Sequence, residues 1–120
     1  MLDPISLLAC KLNLALTVDQ TGRRDVDDVR ILVQCVRAFL RETLRGAESG
    51  DLPVRGWLGA VERVLKLAKS KTGRRAAGKL GVDWRQVLPE AEVAACGLRQ
   101  VEQLRRKRLA QWHTKLVRAP

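Results

Sequence analysis

The sequence predicts an all-α fold, a small bundle of about three to five helices within one domain spanning 1–120. Three observations carry that expectation. The chain has 120 residues, of which 46% are hydrophobic and 30% charged, enough for one modest core and too few for two ordinary domains. Helix-favouring Leu, Ala, Arg, Lys, Gln and Glu dominate, whereas aromatic residues are scarce, with one Phe, three Trp and no Tyr. Apolar residues also recur at three- and four-residue steps, the repeat that lines one side of a helix.

The first helix begins at Asp3-Pro4. Asp accepts hydrogen bonds from free N–H groups at a helix start, and Pro at the first helical position surrenders an N–H that has no partner there. Ile5, Leu8, Leu12 and Leu16 then form an apolar stripe, widened by Leu7 and Leu14, before a loop over 17–24 that contains Gly22. Asp25, with Asp28 three residues on, reads as a capping-box start, and acidic Asp27 and Asp28 suit the positive end of the helix dipole. Val29, Leu32, Val33, Val36, Phe39, Leu40 and Leu44 give this second helix a continuous apolar face, with Gly46 as the expected stop.

After a polar turn over 46–52, Pro53 opens a third helix that carries Trp57, Leu58, Val61, Val64, Leu65 and Ala68 inward. From Ser70 to Gly81 the apolar pattern weakens and glycines recur, so this stretch reads as a basic hinge. Asp83 caps a short helical turn through Val87, which Pro89 interrupts. A single last helix is expected over 90–116, with Val93, Leu98, Val101, Leu104, Leu109, Trp112 and Leu116 on its inner face.

The net charge of +10 is unevenly placed. Residues 1–60 hold eight Lys and Arg against eight Asp and Glu, whereas 61–120 hold fifteen against five, so the second half carries the whole excess. That half is the part that would meet a polyanion or an acidic protein surface. Cys10, Cys35 and Cys96 are far apart and surrounded by apolar helical neighbours, so all three are expected to be reduced packing residues in a cytoplasmic protein. Neither a signal peptide nor a membrane span is expected, because Lys11 and Asn13 interrupt the apolar stretch near the start.

Several patterns invite a chemical reading. Gly73-Arg-Arg-Ala-Ala-Gly78-Lys79 has the spacing of a phosphate-binding P-loop, but Leu80 stands where Ser or Thr must reach the metal, and a helix rather than a strand precedes it. Ala77, Gly81 and Val87, with Leu80 and Val82 between them, reproduce the spacing of a helix-turn-helix. Pro89 leaves about one and a half turns for its recognition helix. Arg105-Arg106-Lys107-Arg108 is the densest basic run; at about 100° per residue these side chains wrap the helix, with Arg106 paired to Glu102 and Arg105 on the apolar side. His113 has no nucleophile, orienting carboxylate or second ligand nearby in sequence, and Asp25, Asp27 and Asp28 sit where a helix start needs them. No catalytic residue, cofactor or metal is therefore expected.

Read end to end, the chain resembles the C-terminal helical part of a group of bacterial proteins with a nucleotidyltransferase-like fold, akin to the abortive-infection toxin type. The likeness lies in Leu2-Asp3-Pro4-Ile5-Ser6-Leu7-Leu8 with Lys11-Leu12, and in Arg24-Asp25-Val26-Asp27-Asp28-Val29-Arg30 with Cys35-Val36-Arg37-Ala38-Phe39-Leu40. It continues in Gly81-Val82-Asp83, Leu88-Pro89 and Arg108-Leu109-Ala110-Gln111-Trp112. The family's catalytic signature, a Gly-Ser pair followed by paired carboxylates on strands, is absent, so no residue here inherits a catalytic role. The resemblance implies a helical accessory domain, separated or stand-alone, whose natural companion is a nucleotidyltransferase-fold domain.

Two readings follow. In the first, the chain is a non-catalytic accessory domain whose basic second half contacts a partner, either an acidic protein surface or nucleic acid. In the second, it is a small helix-turn-helix-like DNA- or RNA-binding regulator with Arg74, Arg75, Lys79 and Arg85 on phosphates. The candidate contact residues are Lys66, Lys69, Lys71, Arg74, Arg75, Lys79, Arg85, Arg106, Lys107 and Arg108.

Overall fold

A computed structural model of the chain describes residues 3–17 and 24–109. Helix α1 (Pro4–Thr17) starts where expected, with the Asp3 carboxylate accepting the Ser6 N–H at 2.9 Å. Its buried face is Ile5, Leu8, Leu12 and Ala15, and α1 packs chiefly on α2 (Asp25–Ser49), the longest helix. Asp25 does not cap α2: Arg24 holds that position without a side-chain bond. The Asp25 carboxylate, almost completely buried, instead faces Lys11, whose Nζ lies 3.1 Å from Asp25 Oδ1 and 3.0 Å from Asp28 Oδ2. Asp25, Asp27 and Asp28 still occupy the first turn, where the helix dipole favours them.

The expected stop at Gly46 is overturned. The helix runs on to Ser49 and ends at Gly50, whose left-handed φ of 83° an L side chain adopts only with strain. Gly46 serves another purpose, since a Cβ there would come within 2.5 Å of Leu52 Cδ1, so its bareness lets the following turn fold back. Helix α3 (Val54–Lys69) then buries Trp57, Ala60, Val61, Val64, Leu65 and Ala68. The Trp57 indole N–H, fully enclosed, donates to the Leu40 carbonyl of α2 at 3.0 Å.

The segment read as a hinge is a helix, α4 (Lys71–Lys79). Ser70 caps it, its hydroxyl oxygen accepting the Gly73 N–H at 3.0 Å. The apolar pattern is thin because α4 touches the core through Gly73 and Ala76 alone as fully buried positions. A Cβ on Gly73 would collide with the Leu67 and Ala68 carbonyl oxygens at the end of α3, so glycine is what permits the tight α3–α4 corner. Gly81 (φ 70°) turns the chain into a 3-10 turn, Trp84–Val87, headed by the expected Asp83 cap, whose carboxylate accepts the Arg85 N–H at 3.0 Å. Trp84 is buried and its N–H donates to the Gly73 carbonyl at 3.0 Å.

The single closing helix also proves wrong. Among the described residues it divides into α5 (Glu90–Ala95), an extended connection through Cys96 and Leu98, α6 (Arg99–Leu104) and a π turn, Arg105–Leu109. The break falls at Gly97, which favours the unfolded chain over a helix interior, and it lets Cys96 and Leu98 turn toward the core. The described residues thus form six α-helices rather than three to five, with no strand, and the all-α expectation holds. One hydrophobic cluster runs from Ile5 to Leu109. No helix of the described residues is long and apolar enough to cross a membrane.

Burial corrects one further expectation, that all three cysteines are packing residues. Cys10 and Cys35 are exposed, and Cys96 alone of the three is buried. Trp57 and Trp84 are both core residues. Trp112, His113 and Leu116 lie outside the described residues.

Candidate functional site

The ten candidate cations divide by whether a carboxylate holds them. Arg85 Nε stands 3.9 Å from Glu90, at the outer limit of an ion pair. Arg106 makes the expected pair with Glu102, one helical turn earlier, at 2.7 Å. Arg108 reaches across to Glu62 of α3 and pairs with it. Lys107 is exposed on the same turn.

Arg105 does not fall on the apolar side. Leu104 and Leu109 are both buried although five residues apart, a separation that an ordinary α-helical turn would rotate out of register. The wider π turn brings both into the core, and the four basic side chains between them are all exposed. The run is therefore a solvent-facing arc, with Arg106 and Arg108 at least partly neutralised.

The remaining six, Lys66 and Lys69 at the end of α3 and Lys71, Arg74, Arg75 and Lys79 on α4, have no salt bridge among the described residues. All are exposed except Arg75, which is half-buried. The sequence explains this: residues 63–82 contain seven Lys and Arg and no Asp or Glu. The seventh cation, Arg63, is committed elsewhere. Its guanidinium grips Asp3 through Nη1 at 2.6 Å and Nη2 at 3.1 Å, and Nη2 also donates to Ser6 Oγ at 2.7 Å. These bonds hold the Asp3 carboxyl down at about 2, the Arg63 hydrogen bond being the largest cause, and raise Arg63 in return.

Helix geometry gathers the α4 cations. With Gly73 and Ala76 buried, residues 71, 74, 75 and 78 point away from the core, and Lys79 follows Lys71 and Arg75 at four-residue steps. Lys66 and Lys69 are exposed on the last turns of α3, Lys66 on the side away from Val64 and Ala68 and Lys69 at the edge of the buried face. The Ser70 cap joins the two helices, so the six charges lie on the outer sides of two helices that meet at one α3–α4 corner. Lys66 and Lys69 suit the negative C-terminal end of α3, but the first turn of α4 has no acidic residue and meets its positive end with Lys71 and Arg74. A bound anion would relieve that repulsion.

Other sequence patterns do not assemble a site. The P-loop-like Gly73–Lys79 segment is helical throughout, its Gly73 N–H taken by the Ser70 cap and the following N–H groups bonded along the helix, so they do not form a phosphate cradle. The turn glycine of the helix-turn-helix pattern is present in Gly81, yet the element after it is a four-residue 3-10 turn whose Trp84 and Val87 are buried. Such an element cannot lie along a major groove. No group of three metal-binding side chains occurs among the described residues. A half-open groove of about 280 Å³ between α2 and residues 80–86, walled by Val26, Val33 and Val82 with Gln34 and Asp83 at its rim, contains no arrangement of acid, base or nucleophile.

Comparison with models of known protein families, with curated proteins and with solved structures finds no match. The functional reading therefore rests on the chain's own residues. The face around Lys66–Lys79 was visible in sequence as charge; the commitments of Arg63, Arg106 and Arg108 to carboxylates 60, 4 and 46 positions away separate it from the other cations, and the two long-range ones have no local signal.

Proposed function

We propose that the protein is a non-catalytic helical interaction module that docks on an anionic partner through the face formed by Lys66, Lys69, Lys71, Arg74, Arg75 and Lys79. The observation that carries this is that none of the six has a carboxylate partner among the described residues, on a surface where neighbouring cations are paired. Uncompensated charge of one sign raises the local concentration of an oppositely charged partner and speeds encounter. The resemblance to the helical part of nucleotidyltransferase-like proteins supports an accessory role beside such a domain, supplied in the same polypeptide or by a neighbour.

The test compares two double variants of equal net charge on immobilised heparin. Lys71→Gln/Arg74→Gln should elute at clearly lower salt than wild type, and Arg106→Gln/Lys107→Gln should elute close to it. Equal displacement of both would show that net charge alone governs binding, and the docking face would be abandoned.

A further inference from the structure

Building on that reading, we infer that the partner of the α3–α4 face is the phosphate backbone of duplex DNA, bound without base readout. The chemistry of the face narrows the choice. Residues 63–82 contain no aromatic residue and no Asn or Gln, so the face offers neither an aromatic platform for unstacked bases nor amides for base edges. Its only uncharged polar side chains are Ser70 and Thr72. The Ser70 hydroxyl is already spent, donating to the Leu67 carbonyl at 2.6 Å and accepting from Gly73 at 3.0 Å. Little remains to recognise the 2′-hydroxyls by which proteins distinguish RNA.

An acidic protein fits less well. Protein interfaces are anchored by buried aromatic, Met and Arg side chains and are depleted in Lys. Here four of the six contacts are Lys, and the apolar residues at the corner, Leu67, Leu80 and Val82, are half-buried against the core.

Duplex DNA matches the spacing. At a rise of 1.5 Å per residue, Lys71, Arg75 and Lys79 span about 12 Å along α4, and Arg74 widens the stripe. A duplex carries one negative charge per roughly 1.7 Å of axis with both strands counted, so about seven phosphate charges lie along that length, and the ones on the near side suffice for the α4 cations. The two α3 lysines extend the contact around the corner.

The experiment is fluorescence anisotropy of the full chain against labelled 20-base-pair DNA, with duplex RNA, single-stranded DNA and poly-L-glutamate as competitors, across salt. Four to six phosphate contacts should weaken binding roughly 10²–10³-fold between about 50 and 200 mM salt. Lys71→Gln/Arg74→Gln, removing two contacts, should reduce that loss by about tenfold, while Arg106→Gln/Lys107→Gln should leave it nearly unchanged. If the first variant fails to fold by circular dichroism, Lys66→Gln/Lys69→Gln on α3 reads the same contact. Stronger competition by single-stranded DNA or duplex RNA would overturn the duplex-DNA assignment. Binding of poly-L-glutamate with none of DNA would overturn it too, yet leave the docking face standing. Absence of binding to any of these polyanions would end both.

Discussion

Asp3 does two things at the entrance to α1: it caps the helix through Ser6 and it holds Arg63 of α3. Asp3→Asn separates them, because Asn caps as well as Asp but lacks the charge. The pair is partly exposed, so its loss should cost less than about 1 kcal/mol in urea unfolding at neutral pH. The pH dependence has a definite sign. Asp3 sits at about 2 in the folded protein and near the ordinary carboxylate value when unfolded, so its contribution is present above about 4 and fades as pH falls toward 2. The stability difference between wild type and Asp3→Asn should therefore shrink between pH 6 and pH 3; a gap independent of pH would show that the charge is not what matters. Trp57 makes a second residue-scale case. Trp57→Phe keeps most of the buried volume but removes the N–H that serves the Leu40 carbonyl, a loss of about 0.5–1.5 kcal/mol plus a cavity penalty.

At the scale of elements, α4 shows how glycine position decides a helix's placement. Gly73 and Gly78 lie in the same nine-residue helix. A Cβ at Gly73 strikes backbone carbonyls at the end of α3 that cannot move without breaking the corner, whereas a Cβ at Gly78 meets nothing within 4 Å. Gly73→Ala should cost about 1–3 kcal/mol and weaken polyanion binding by separating the α3 and α4 cations. Gly78→Ala should stabilise the protein by about 0.4–1 kcal/mol, since alanine restricts the unfolded chain and favours helix. Thermal unfolding of the two variants decides between these opposite signs. The π turn makes a related point: it allows Leu104 and Leu109 to share the core while the basic run stays outside, which a continuous α-helix over 99–109 would prevent.

For the molecule as a whole, charge is separated along the chain. The α1–α2 pair is nearly neutral and stitched by Lys11 to Asp25 and Asp28, while the excess lies in the second half. Like charges crowded on the α3–α4 face oppose compaction, so screening them should help the fold. Melting temperature should rise with added salt at low ionic strength, and rise further with duplex DNA in excess over its dissociation constant. A ligand at about 100 times that constant contributes about 2.7 kcal/mol, which is several degrees for a domain of this size. Scanning fluorimetry with and without DNA measures it, and the Lys71→Gln/Arg74→Gln protein should show a smaller ligand-induced shift.

What the amino-acid sequence determined by itself was what local chemistry specifies. The helical class, the Asp3-Pro4 start, the inner faces of α2 and α3, the Asp83 cap, the Arg106–Glu102 pair and the basic character of the second half all depend on neighbours within about one turn. Only the tertiary structure decided the rest. Gly46 and Gly73 looked like breaks, because a missing Cβ reads the same whether it ends a helix or admits a neighbour; Leu52 and the end of α3 settle which. Folding alone brings Asp3, Glu62 and Asp25 beside Arg63, Arg108 and Lys11, none of which has its partner within a turn in sequence. The candidate face is what remains after those long-range pairings are made, and charge compensation between distant segments is a property of the folded chain alone.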